Sequence, residues 1–173
     1  MFSSLPGWRP RLRYALAAML GLAAWCVAAA PFTVDDAYIV ARYGRRLVAG
    51  LGWTFRDGPP TDGVTGPLWV LPAALGAAVE DLGLAGASMA FPKALGAGAA
   101  LAAAGVLTAS AGRRFGGAAP WVAALLAVQA QLALWSVAGL ETGLATLVLT
   151  FAALAARRKR GAALGAGLGA LAA

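Results

Sequence analysis

Apolar positions along this chain come in long unbroken blocks, and the polar residues gather between them. Blocks at 14–30, 94–111, 118–135 and 144–156 approach the roughly 17 to 25 residues a helix needs to cross a bilayer, and a fifth opens at Gly161. The blocks do not alternate every second residue, so they predict helices and argue against a β-barrel. They are mostly Ala, Gly and Leu, a composition suited to helices that approach closely through small side chains. The block at 67–79 stops after about 13 residues at Glu80 and Asp81, which predicts an interfacial or re-entrant helix. The expected fold is all-α: a polytopic transmembrane helical protein with one sizeable external loop, 31–66.

Within that loop a second periodicity appears. Ile39, Tyr43 and Leu47 recur at i, i+4 and i+8 with Val40 alongside, while Arg42, Arg45 and Arg46 take other faces. The spacing predicts an amphipathic helix from Asp35, capped by Thr33 or Asp35 and closed by Gly50, lying on the membrane surface with its apolar side in the headgroups.

Composition supports the membrane reading: 61% of residues are hydrophobic and only 12% charged, against about a quarter charged in soluble domains. The formal charge of +7 does not indicate nucleic acid, because the basic residues sit in short clusters between apolar blocks, as cytoplasmic anchors do. Arg9, Arg11 and Arg13 place the N-terminus inside. If 67–79 returns without crossing, Arg113, Arg114 and the cluster 157–160 are also inside, and Asp35, Asp36 and Glu141 share the outer face. If it crosses, both later clusters fall outside. The first block also resembles a cleavable signal ending at Ala28-Ala29-Ala30, but Pro31 is a poor residue to follow a cleavage site and further spans follow, so a retained helix is expected. Cys26, alone and inside an apolar block, reads as a small buried hydrophobe, and with no histidine in the chain zinc chemistry is excluded. Gly161, Gly165 and Gly169 repeat every fourth residue, a groove for a neighbouring helix, which suggests the N-terminal part of a longer protein.

The adjacent carboxylates Asp35 and Asp36 carry the candidate chemistry. Acidic residues stabilise a first helical turn, which accounts for one of them. The other lies about 100° round the helix and is free for a different task, such as a general base for a hydroxyl, with arginines holding a phosphate. Spacing leaves both readings open.

Three segments together, "DDAYIVARYGRRLVAGLGWTF" (35–55), "GVTGPLW" (63–69) and "SVAGLETGLATL" (136–147), resemble the N-terminal region of GT-C membrane glycosyltransferases. The likeness is nearest to bacterial polyprenyl-phosphate-sugar-dependent enzymes of the arabinofuranosyltransferase and mannosyltransferase kind, and covers about 14–156. It implies a multi-pass protein of the bacterial inner membrane with a cytoplasmic N-terminus. It also implies transfer of a sugar from a polyprenyl-phosphate donor to the hydroxyl of a glycan, lipid or protein acceptor on the extracytoplasmic face, in building the cell envelope. By the same resemblance Asp35 is the base, Asp36 its partner or a metal contact, and Glu141 the second external acidic position. An acidic pair permits a divalent cation, Mg or Mn, on Asp35 and Asp36 without requiring one.

Arg42, Arg45, Arg46 and Lys93 are candidate donor-phosphate contacts, each with an alternative as a headgroup-facing or snorkelling cation. Trp53, Phe55 and Trp69 suit either a sugar platform or an aromatic belt, and Gln129 and Gln131 suit interhelical hydrogen bonds. Two other functions are compatible with the pattern: a non-catalytic membrane subunit, or a transporter, which would favour ionisable residues in broken helices near mid-membrane.

Overall fold

The computed structural model describes residues 8–114 and 117–156, all of whose regular structure is helical. In order these are α1 (Trp8–Ala29), α2 (Asp35–Val48), a 3-10 turn (Pro67–Trp69) leading into α3 (Val70–Asp81), α4 (Ala87–Arg114), α5 (Ala118–Ala127), α6 (Ala130–Ser136) and α7 (Thr142–Ala156). Two stretches, Pro10–Ala29 and Ala87–Arg113, are long and apolar enough to cross a membrane, and α7 is a shorter apolar helix. The fifth block, the cluster 157–160 and the glycine repeat lie outside the described residues.

α1 and α4 pack antiparallel. Met19 meets Gly105, Arg11 meets Gly112, and at the other end Lys93 reaches the carbonyls of Ala30 and Phe32. The chain therefore leaves α1 and enters α4 at the same end of the bundle. The opposite end carries Arg11, Arg13 and Arg113.

The rest of the bundle is assembled on α4 with almost no large side chains. α5 starts with Ala119 beside Gly112 and climbs until Ala127 sits against Gly21; Ala133 of α6 and Val137 just after it lie on Leu22, Cys26, Ala100 and Ala104. α7 begins where Gly143 lies on the carbonyl of Gly96 and runs along α4. Glycine and alanine let these backbones approach closely, where dispersion between backbones replaces interlocked side chains.

Four expectations are revised. The block 118–135 forms two helices bent by 57° at Val128 and Gln129. Gln129 and Gln131 are exposed there. The span expected from 94 starts at Ala87 and passes through Pro92. The N-cap of α2 is Val34, with no side-chain cap from Thr33 or Asp35, whereas the helix ends as expected, with Gly50 at φ 71° directly after the C-cap Ala49. Finally, the apolar face of α2 does not look toward headgroups: Val40 and Tyr43 are buried in a cluster with Trp69, Val70 and Ala73 of the following turn and α3. Gly44 makes this possible, because a Cβ there would come within 2.6 Å of the Ala74 backbone nitrogen.

Candidate functional site

The three segments quoted above meet at one loop, 137–141, between α6 and α7. The N–H of Val34, the residue before α2, donates to the carbonyl of Ala138 at 3.2 Å. The indole N–H of Trp69 donates to the carbonyl of Gly139 at 2.9 Å. Gly66 stands against the Glu141 side chain, so closely that a Cβ on it would lie 3.1 Å from the carboxylate carbon. Gly139 is required twice over: its φ of 98° favours glycine, and a Cβ would press to 2.6 Å from that of Ala37. Ser136 and Gly143, on either side of the loop, both rest on Gly96, which ties the assembly to α4.

Asp35 and Asp36 are the first two residues of α2, and both are exposed. Val34 and Ala37 pin that turn to 138–139, so the aspartates emerge beside the loop that carries Glu141, itself partly buried. The free N–H groups of the first turn and the helix dipole favour negative charge at this point. The arrangement thus offers exposed carboxylates held on a braced turn, with a third carboxylate nearby on a separately anchored loop.

The cations are placed differently from the acids. Arg42 donates through Nε to the Phe55 carbonyl at 3.1 Å. Arg45 pairs with Glu80 at 2.9 Å and Asp81 at 3.3 Å, joining the C-terminal ends of α2 and α3. Arg46, although charged, is buried, with Nε donating to Thr54 Oγ1 at 2.7 Å and Nη2 to Asp57 at 2.9 Å. None of these partners belongs to the loop 137–141. Lys93 Nζ donates to the carbonyls of Ala30 and Phe32 at 2.9 and 2.6 Å. A cation at a helix C-terminus satisfies carbonyls that have no intrahelical partner, and here it fixes the start of the segment leading to Asp35.

The aromatic residues divide in the same way. Trp53 and Phe55 stack on Tyr43, with ring centroids 5.5 and 6.1 Å away, and Tyr43 bonds through its hydroxyl to Thr61. Trp69 is buried. Trp53 is partly buried and Phe55 remains exposed at the edge of this cluster. Hydrogen bonds from Ser88, with smaller help from Arg45, hold the Glu80 carboxyl below its ordinary range.

Among the described residues no group of three or more His, Cys, Asp or Glu side chains is arranged to hold a metal ion. Two adjacent helical carboxylates diverge by about 100°, a poor chelate by themselves, so no step of the chemistry below is routed through a metal. Residues that sequence reasoning passed over are Gly66, Gly96 and Gly139. The signal for Gly66 and Gly139 lay in the segments "GVTG" and "VAGLETG", where glycines recur next to polar residues; Gly96, within the apolar run of α4, carries no such signal.

Compared with models of known protein families, with curated proteins and with solved structures, the chain matches none.

Proposed function

We propose that this chain forms part of a GT-C-type membrane glycosyltransferase. It would pass a sugar from a polyprenyl-phosphate donor to an acceptor hydroxyl on the extracytoplasmic face of a bacterial inner membrane, with the N-terminus cytoplasmic. The observation that carries the proposal is the convergence of the 35–55, 63–69 and 136–147 segments on the loop 137–141. It sets Asp35 and Asp36 beside the Glu141 loop, at the end of the bundle opposite Arg11, Arg13 and Arg113. That charge polarity supports a topology in which 67–81 returns to the face it left and the acidic site lies outside.

In this reading Asp35 removes the acceptor proton as its oxygen attacks the sugar C1, and the lipid phosphate departs with the bonding pair. The phosphate is already a stable anion when it leaves, so the protein's main work is placing the acceptor and taking its proton. Arg45 and Arg46 are engaged by internal partners and hold α2 in position, and Lys93 does the same for the stretch of chain before Asp35. Arg42, exposed and bonded only through Nε, keeps a guanidinium face free for a donor phosphate. The transporter alternative is favoured less, since the break at 128–129 carries one amide, Gln129, and no ionisable side chain.

The test is transfer in native membranes with Asp35→Asn. Loss of a general base lowers turnover by about 10² to 10⁴-fold, and membrane insertion is expected to stay normal. Turnover equal to the parent protein removes the proposal.

A further inference from the structure

α3 has two unlike sides. Trp69, Val70, Ala73, Gly76 and Ala77 are buried against α2 and α4. Leu68, Leu71 and Leu75 fall on the other side at i, i+3 and i+7, each between 52% and 59% exposed; Leu82, one heptad after Leu75, is 87% exposed. No charged residue occurs from Pro67 to Val79, and the acidic pair ending the helix, Glu80 and Asp81, is matched by Arg45. The outward side of α2 is mostly charged: Asp35, Asp36 and Arg42 are exposed there together with Tyr38, while Val40 and Tyr43 are buried against α3 and the turn before it. The apolar edge continues onto the bundle, because α3 packs on the start of α4, where Phe91 and Leu95 are also exposed.

We infer that the leucine edge of α3 is the surface by which the external segment rests in the lipid interface, and that α2 rides on α3, out of contact with lipid. An uncharged edge with its terminal acids paired fits the hydrocarbon boundary of a zwitterionic leaflet, where burial of apolar area supplies the attraction. α3 then sets the height at which Asp35 and Asp36 stand above the acyl chains. The inference rests on the membrane placement proposed above, and goes beyond it by assigning the lipid contact to α3 and withdrawing it from α2.

The experiment uses single cysteines at Leu20, Arg42, Leu71 and Leu75 in a Cys26→Ala chain, each carrying a fluorophore, in phosphatidylcholine proteoliposomes with quenchers attached to the lipid chains or dissolved in water. Leu20 lies on the exposed side of α1 and reports whether the bundle is in the bilayer. The expected result is lipid quenching at 71 and 75 comparable to that at 20 and several-fold above that at 42, with little aqueous quenching. Labels at 71 and 75 as wet as the one at 42, with 20 in lipid, overturn this inference and leave the membrane placement standing. An aqueous label at 20 overturns both. Labels at 71 and 75 shielded from both quenchers and self-quenching between copies make a second chain the occupant and overturn the lipid assignment.

Discussion

The bundle around α4 and the layer formed by α2 and α3 hold together by opposite means. In the bundle, Gly21, Gly96 and Gly143 bring helices into near backbone contact, Gly105 makes room for Met19, and the buried side chains are mostly alanine. In the layer, one tyrosine and one tryptophan fill the space, a buried arginine bridges to the following loop, and an ion pair closes the far end. The first kind of interface is intolerant of added volume; the second, apart from the close approach at Gly44, is intolerant of its removal. Both meet at the loop 137–141, so the candidate site there depends on each.

The largest expected effect is in the layer. Trp69→Ala removes a buried ring and leaves the Gly139 carbonyl without its donor, and truncations of this size cost about 3 to 5 kcal/mol. Thermal unfolding in detergent is expected to show early melting of the external segment with α1 and α4 still helical. The mirror-image change is Gly143→Ala. A methyl group there meets the Gly96 carbonyl, and overpacking of this sort costs about 1 to 3 kcal/mol; the same assay is expected to show loss of the α4 to α7 contact. An alanine tolerated at 143 would break the contrast drawn between the two regions.

Smaller changes sharpen it. Tyr43→Phe keeps the ring and deletes the hydroxyl that binds Thr61, a loss of about 0.5 to 1.5 kcal/mol, read as faster proteolysis in the loop 51–66 with the bundle unaffected. The smallest effect is that of pH. Because Glu80 is held below its ordinary range in the folded chain, its contribution is present above the unfolded value of about 4.3 and is lost as pH falls through the lower folded one. Hydrogen exchange at the end of α3 is expected to quicken only below about pH 4, and Glu80→Gln is expected to abolish that dependence.

How far the sequence carries such detail depends on the range of the interaction. α1 and the body of α4 are legible because uninterrupted apolar runs have few alternatives to helix, and the period of Ile39, Tyr43 and Leu47 marks the buried side of α2. The partner covering that side was not legible: Ile39 to Leu47 read equally well against headgroups, and only the tertiary structure places Tyr43 under Trp69. The bend at Val128 and Gln129 has neither proline nor glycine to announce it, whereas Pro92, which would suggest a boundary, sits inside α4 near its start. At the site, the charge pattern groups Asp35, Asp36 and Glu141, and in the structure the turn that carries the aspartates lies against the loop that carries Glu141. The internal partners of Arg42, Arg45 and Arg46 depend on how residues 51–57 fold back and on where α3 ends, and no local pattern encodes either.

The central claim is that the segment entering α2 and the loop before Glu141 are clamped together. It is tested most directly by disulfide trapping of Val34→Cys with Ala138→Cys in a Cys26→Ala chain, since the backbone bond between these residues sets their Cα atoms within the range a disulfide spans. Under mild oxidation in membranes this pair is expected to cross-link within one chain, far faster than Val34→Cys with Ser110→Cys, whose partner lies near the opposite end of α4. Equal rates for the two pairs would contradict the account.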